Sequence, residues 1–558
     1  MKKTSISILT AFSLVSCARS SVPEVRYSNA PPVEVVDDRR DVPNPPAERE
    51  LVRALYFFDG TFHRRITRAL ELHGRPRALG INALDEVPDS TWFTNRIGKR
   101  DLTTEELIAG PTEVGSPEPH KPWTIHSTKT TGESVGFIMS DARGERFLLK
   151  FDRRGFPEIE TTAHVIVNRL LWASGYNVPE DHLVFLRPSD LRLAEDAVLE
   201  DRTGKERPMT QADLAHYLGR LEVEPDGQLR GMASLLLEGT LLGGHPSEGV
   251  RPDDPNDRIP HELRRDLRGA LPIFAWLDHV DIKEDNSLDV WVTDPADPQR
   301  HYVKHYFLDF GKSLGARGTI SYDPRAGHEY NVDFAKMWGS LVFLGFLPRP
   351  WENRPVPRER GVALYEAETY DPGAWKPHTP AYTPFLTADR FDRFWGAKIL
   401  MRFTPEQLRA LVESLRMSDP RAVDYLTNTL VARQRATARH AFLLVNPLDG
   451  FEVVQTGQGP TICFVDLLLA YGLSTDGPQT RYVVTSHDRA GRKLGTPRVV
   501  SSQGARSCSA PFTAAQARDG YTILRIETRR PGFTGSTLVH VARDPGSQAP
   551  RVIGIWRE

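Results

Sequence analysis

Cysteine is scarce in this chain, with three in 558 residues. A disulfide-dense scaffold is therefore excluded. Long apolar runs are missing as well: apolar residues make up 39% of the chain, and no uninterrupted stretch approaches 20. That excludes a polytopic membrane protein. Nor does one sign of charge dominate, because 71 Lys and Arg face 73 Asp and Glu for a net charge of −2. Bulk charge builds no polyanion-binding surface, and no nucleic-acid partner is expected. There is no internal repeat, and the cysteines and histidines show no zinc spacing. His261-Glu262 opens an H-E pair, but position 265 is Arg, so no zincin motif exists. At roughly 100–200 residues per domain the length predicts about two to four domains. Gly 42 and Pro 43 together, about 15% of the chain, predict long connections rather than collagen or global disorder.

The residues that are present speak first at the N-terminus. Met1-Lys2-Lys3 precedes a short apolar stretch, Ile6 to Val15, that closes on Leu14-Val15-Ser16-Cys17. A positive start and an apolar core too short to span a bilayer read as a secretion signal. Its last four residues resemble the lipobox of bacterial lipoproteins, which implies cleavage and lipidation at Cys17, and Ala18 after it implies transfer to the outer membrane. The expected location is the cell envelope, anchored to the membrane through the N-terminal lipid on the periplasmic or surface face. An ordinary cleaved signal with an incidental cysteine is the alternative. Cys463 and Cys508 remain, either as a disulfide closing a loop of about 45 residues or as two separately buried thiols.

Residues 18–47 are rich in Pro, Asp and Arg without apolar periodicity and read as a disordered tether. A helical cap is expected over 48–119. In it, Leu51, Leu55, Phe58, Phe62, Ile66 and Leu70 recur at three- and four-residue steps, an amphipathic helix from Arg49 to about His73 bent near Gly60. From Thr124 the period changes. Two apolar runs joined by Asp141-Ala142-Arg143-Gly144 predict a hairpin ending in the strand Phe147–Phe151. A helix comes next, with Pro157 in its first turn and Ile159, Ala163, Ile166, Leu170 and Ala173 as one stripe ending at Gly175. Asn177 to Arg187 reads as a strand, His261 to Trp276 as a helix, and about Asp389 to Leu444 as helical. Residues 450–558 alternate short β-rich runs with Gly, Pro and Asp, which predicts a β-sandwich-like domain.

The chemistry is concentrated after residue 278. His279-Val280-Asp281-Ile282-Lys283-Glu284-Asp285-Asn286 is followed 23 residues beyond Asn286 by Asp309-Phe310-Gly311. His, Asp, Lys and Asn at these spacings arise by chance in such a chain with probability on the order of 10⁻³. The pattern resembles the H-R-D-x-K-x-x-N and D-F-G signature of protein kinases, with Val280 where Arg is usual. The resemblance implies a two-lobed α+β kinase-like domain over 120–445 that uses Mg²⁺ and ATP or another nucleotide. Asn286 and Asp309 are then the metal ligands, Asp281 orients or deprotonates an acceptor hydroxyl, and Lys283 lies near the transferring phosphoryl group. Upstream, Lys150 fits the lysine that pairs with the α/β-phosphates, and its helix partner is Glu158 or Glu160.

Gly132-Glu133-Ser134-Val135-Gly136 is the corresponding phosphate-covering loop, lacking the full G-x-G-x-x-G. The same five residues match G-x-S-x-G, the nucleophile elbow of serine hydrolases, which needs a strand, a sharp turn and a helix. The Phe137-Ile138-Met139 run next to it argues against that reading. No A-P-E succeeds Asp309-Phe310-Gly311, so the chain looks more like the atypical HipA-type, spore-coat CotH-type or secretory-pathway kinases. The expected function is an exported, lipid-anchored phosphotransferase acting on a protein, sugar or lipid hydroxyl. A catalytically inactive kinase-fold envelope scaffold is the alternative, because a bacterial envelope holds little ATP.

Overall fold

A computed structural model of the chain describes residues 22–70, 76–129, 135–200, 205–317 and 323–558. Cys17, Gly132 and Ser134 lie outside the described residues. The architecture is α+β, and the described chain divides into two units. The larger comprises Pro32–Pro447 with Tyr471–Leu473; the smaller comprises residues 22–31, Leu448–Ala470 and Ser474–Glu558.

In the larger unit a seven-stranded sheet is built from β1 (Trp123–Thr128), β2 (Gly136–Ser140), β3 (Arg146–Phe151), β4 (Asp181–Leu186), β5 (Leu191–Glu200), β6 (Glu206–Pro208) and β7 (Leu229–Leu235). Its order is β4-β7-β3-β2-β1-β5-β6, antiparallel throughout except β1 against β5. Alternate residues supply the buried face: Trp123 and Ile125, Phe137 and Met139, Phe147, Leu149 and Phe151. This is the period-2 pattern a one-sided sheet requires. The β2–β3 turn closes because the Asp141 carboxylate accepts the Arg143 and Glu145 N–H groups while Gly144 takes φ 90°.

The helices of this unit are α1 (Arg53–Phe58), α2 (Arg64–Ala69), α3 (Thr104–Ala109), α4 (Ile159–Ser174), α5 (Gln211–Leu218), α6 (Arg265–Trp276), α7 (Phe334–Val342), α8 (Thr383–Thr387), α9 (Arg390–Leu400), α10 (Pro405–Glu413) and α11 (Pro420–Leu443). Helix α4 is buried along nearly its whole length and stops at Gly175. Helices α6 and α9 approach so closely that a Cβ at Gly269 would sit 2.3 Å from the Trp395 ring. A short sheet, β8 (Thr240–Leu241), β9 (Ser287–Asp294) and β10 (Asp297–Phe307), completes the unit.

Two expectations are corrected. The tether is not free over residues 22–47: Val22 and Val42 are 2% and 5% exposed, Asp38 accepts from the Thr91 N–H and hydroxyl, and the Val42 N–H bonds to the His301 carbonyl. Few apolar side chains are available there, but those two are buried and the backbone is tied down. The stripe Leu55, Phe58, Phe62, Ile66 and Leu70 is not a buried face either; all five are exposed, and Tyr56 and Gly60 face the protein instead. A π-helical turn over Asp59–His63 joins α1 to α2 at the expected bend. There the missing side chain of Gly60 lets the backbone close on Ala381, where a Cβ would meet another at 2.6 Å.

The smaller unit is a sandwich. One sheet is β11 (Leu448–Thr456), β12 (Gly459–Asp466) and β15 (Arg506–Cys508); the other is β14 (Lys493–Ser501), β13 (Arg481–His487), β16 (Thr522–Arg530), β17 (Phe533–Arg543) and β18 (Pro550–Arg557). Leu448, Ile462 and Phe464 from the first pack on Tyr482, Leu524, Ile526 and Val539 from the second. Cys463 lies directly opposite Cys508 across β12 and β15, and the two form a disulfide. No helix among the described residues is long and apolar enough to cross a membrane.

The bond spans 45 residues, so chain entropy assigns it about 4 kcal/mol. Cys463→Ser, Cys508→Ser and the double variant are expected to destabilise this unit by the same amount, up to that figure. Calorimetry of the three checks it; a double variant markedly weaker than either single would contradict a shared bond.

Candidate active site

Strand β3 delivers the first group. Leu149 and Phe151 point into the core, so Lys150 points to the other face, where its Nζ lies 2.8 Å from Asp309 Oδ1. Asp152 then ties strand to helix. It accepts the Glu160 and Thr161 N–H groups at 2.8 and 3.0 Å and the Thr161 hydroxyl at 2.6 Å.

The start of α4 decides between the two glutamates. Glu158 sits at φ 67° with its side chain buried away from the cleft, accepting the Ser418 N–H and lying 3.6 Å from Arg360. Glu160 faces the cleft: a Cβ placed on Gly311 would stand 3.9 Å from both Glu160 Oε2 and His164 Nδ1 and 4.0 Å from Asp309 Oδ1. Glu160 therefore shares the site with Lys150, and Glu158 does not.

Beyond α6 the chain turns through Asp278 at φ 47° into the loop carrying the motif. His279 is buried, shares a hydrogen bond of 2.7 Å with the Ser313 hydroxyl, and meets the Phe310 ring edge-on at 5.7 Å. Phe310 thus anchors the D-F-G segment under the loop. Asp281 accepts from Lys283 Nζ at 2.9 Å, Lys312 Nζ lies 3.3 Å away, and the Asn286 amide nitrogen donates to the Asp281 carbonyl at 2.6 Å. Strands β9 and β10 pair Ser287 with Phe307, and the Leu308 N–H bonds to the Asn286 carbonyl at 2.9 Å. That register places Asn286 and Asp309 at neighbouring strand ends. Asp309 takes φ 57°, a conformation Asp adopts more readily than most residues.

These groups line one cleft of about 1230 Å³, together with Lys129 and Glu238. Gly136 opens β2 opposite Lys150, and a Cβ there would meet the Leu149 carbonyl at 2.9 Å and Lys129 Cδ at 3.1 Å. Because Gly136–Ser140 is a strand, the hydrolase elbow has no helix to stand on.

The electrostatics result from the packing. The Lys150 ammonium holds the Asp309 carboxyl far below the carboxylate range despite desolvation. Burial works against the Lys150 charge, but Asp309 outweighs it and raises that pKa. Burial also penalises ionised Asp281, yet Lys283 and Lys312 pull its pKa below the ordinary value. Desolvation, with Asp152 and Asp309 nearby, pushes Glu160 up to about 7. Burial and Lys150 bring Lys129 down to about 8.

Lys129, His164, Lys312 and His378 went unread in the sequence. Lys312 directly succeeds Asp309-Phe310-Gly311, a local signal; His378, whose N–H bonds to the Val280 carbonyl and whose Nδ1 lies 3.9 Å from Asp281, arrives from about 100 residues away with none. Glu284 is a positioning residue. Its fully buried carboxylate accepts from Arg49 at 2.5 Å and from the Ser247 N–H and hydroxyl at 2.9 and 2.6 Å, while its own N–H donates to the Tyr56 hydroxyl.

No protein-family model and no curated protein matches the chain. Among solved structures it is similar to the Golgi casein kinase with Mn and ADP bound, at 12% identity over 61% of this chain and 73% of that one, with a TM-score of 0.28. A second structure of the Golgi casein kinase aligns at 11% identity over 61% and 72%, TM-score 0.26. The Rio2 kinase complex with ADP, Mg²⁺ and phosphoaspartate from Chaetomium thermophilum aligns at 16% identity over 52% and 71%, TM-score 0.19.

A carboxyl raised to about 7 from 4.5 keeps a proton in the folded state that the unfolded chain has lost, so its share of stability falls as pH climbs between those values. With nucleotide absent and divalent ions chelated, Glu160→Gln is expected to melt higher than the natural protein at pH 8 and to lose that advantage by pH 5. Melting curves across this range decide it; a pH-independent difference would place Glu160 in an ordinary solvated setting.

Proposed function

We propose that the cleft is a phosphotransferase site of the protein-kinase kind, transferring a phosphoryl group from a Mg²⁺-nucleotide to a hydroxyl. The observation that carries the proposal is the convergence of Lys150, Glu160, Asp281, Asn286 and Asp309 on one cleft, with Lys150 and Asp309 in contact across 159 positions of sequence. Phosphoryl transfer asks a protein for positioning and for charge to oppose phosphate oxygens rather than for covalent chemistry. Four lysines (Lys129, Lys150, Lys283 and Lys312) line the cleft to oppose them.

The donor set suits Mg²⁺. Asp309 is ionised and half-exposed to the cleft, and Asn286, its nitrogen turned to Asp281, has its amide oxygen to offer. Two hard oxygens match an ion that retains waters and phosphate oxygens as its other ligands, and no cluster of three His, Cys, Asp or Glu side chains able to hold a metal exists among the described residues. Bound there, the ion would supply charge neutralisation at the phosphates.

The chain's own groups do the rest. Lys150 holds phosphate oxygens, exchanging its contact with Asp309 for them, and Glu160 keeps it oriented. Asp281, ionised by Lys283 and Lys312, accepts the hydrogen bond of the acceptor hydroxyl and takes its proton. Lys283 stays near the moving phosphoryl group. We further propose that the protein is exported and anchored through a lipid on Cys17, a reading supported by the Leu14–Cys17 segment and Ala18. The acceptor is a protein, sugar or lipid hydroxyl.

Mg²⁺-ATP at 100 times its dissociation constant should stabilise the full chain by about 2.7 kcal/mol, read as a rise in melting temperature. Asp309→Ala should abolish the rise. Asp281→Asn should keep it while phosphoryl transfer falls at least ~100-fold. If no nucleotide moves the melting temperature, the cleft belongs to an inactive scaffold.

A further inference from the structure

The face of α7 that would normally be buried points outward. Phe334, Met337, Trp338, Leu341 and Val342 fall at i, i+3, i+4, i+7 and i+8, one stripe of a helix, and all five are exposed. The chain then turns through a tip at which Leu344 and Phe346 are 82% and 88% exposed. The patch continues onto the segment α1–α2, because the Phe62 ring lies 5.6 Å from Phe334 and 5.2 Å from Phe58. Contiguous apolar surface of this kind marks a docking site.

The backbone of the tip identifies what it can enter. Four consecutive N–H groups are satisfied internally: Phe343 on the Gly339 carbonyl, Leu344 on Leu341, Gly345 on Ser340 and Phe346 on Phe343. Left-handed backbone at Leu344 (φ 50°) and Gly345 (φ 82°) closes this cap. A tip with no N–H group to offer gains nothing from an extended peptide, whose main affinity comes from backbone pairing. Satisfied N–H groups suit the headgroup–acyl boundary, where an unpaired amide N–H is costly.

Charge points the same way. Of the Lys and Arg residues at 54–70 and 334–351, Arg64, Arg68 and Arg349 are paired with Glu284, Glu248 and Glu329, which leaves Arg65 and Lys336 without an ion pair among the described residues. Arg65 lies over the Phe334 ring with 4.8 Å to its centroid, at the edge of the apolar patch. Apolar and aromatic side chains with a basic border are the composition of a segment that lies in a membrane interface.

We propose that α7, its 343–346 tip and the outer face of α1–α2 form a docking surface for an anionic lipid bilayer, with Trp338, Leu344 and Phe346 entering the headgroup–acyl boundary. The surface acts whether or not the cleft is catalytic.

The test uses the full chain with Cys17 unacylated and vesicles of 30% phosphatidylglycerol in brominated phosphatidylcholine, whose bromines quench only tryptophan at the bilayer. Part of the emission should be quenched, and that part should be missing in Trp338→Phe. Leu344→Asp with Phe346→Asp should reduce the quenching at least tenfold while leaving the melting temperature unchanged. Replacing phosphatidylglycerol with neutral lipid should weaken it. Quenching equal in the natural protein and Trp338→Phe, or no quenching at all, overturns the proposal. So does a concentration-dependent dimer that the Leu344→Asp/Phe346→Asp variant dissolves while vesicles leave Trp338 untouched, since the face would then bind a second copy.

Discussion

The register of one hairpin governs the cleft. Strands β9 and β10 pair so that Ser287 faces Phe307, and the Leu308 N–H closes on the Asn286 carbonyl. Two residues 23 positions apart are thereby forced to neighbouring strand ends, whatever the hairpin's tip contains. Slipping the pairing by one residue would turn alternate side chains to the opposite face and separate Asn286 from Asp309. The Lys150–Asp309 contact, and with it the closeness of β3 to the motif loop, depends on that register.

A second layer of constraint is buried charge. Asp278 pairs with Arg317 at 3.0 Å and accepts from the Trp375 indole at 2.9 Å, and Asp392 takes both Arg265 and Arg268 at 2.8 Å. Glu284 is held by Arg49 and Ser247, with Arg64 at 3.5 Å. Such pairs add little net stability, but losing one partner costs about 3–5 kcal/mol because a charge is stranded without water. They act as locators. The motif loop cannot move without uncovering Glu284, and Glu284 depends on Arg49 and Tyr56, which belong to the N-terminal part of the unit rather than to the lobes of the cleft.

The sequence revealed most where local chemistry and long-range geometry coincide. Asp281, Asn286 and Asp309 were legible because their side chains serve the same cleft and their spacings are tight. The strands around Phe147–Phe151 were legible from alternation, and α4 from its stripe and the stop at Gly175. Glu158 and Glu160 could not be separated, because the left-handed backbone at Glu158 shifts where the helix begins and so redirects both side chains. The stripe from Leu55 to Leu70 has true helical spacing, but spacing does not say which side meets the protein; the close approach of Gly60 to Ala381 does. Residues 22–47 looked free because composition reports average hydrophobicity, whereas Val22, Asp38 and Val42 act singly.

Val22 has a consequence for length. It packs with Tyr521, Ile523 and Leu538 in the sandwich unit, so the covalent path from Cys17 to this buried side chain is only five residues. Fully stretched, such a path reaches about 17 Å. An acyl group on Cys17 would therefore act as a short stem rather than a leash, holding the sandwich within a few headgroup thicknesses of the bilayer and denying it the wide sweep that a 30-residue linker would allow.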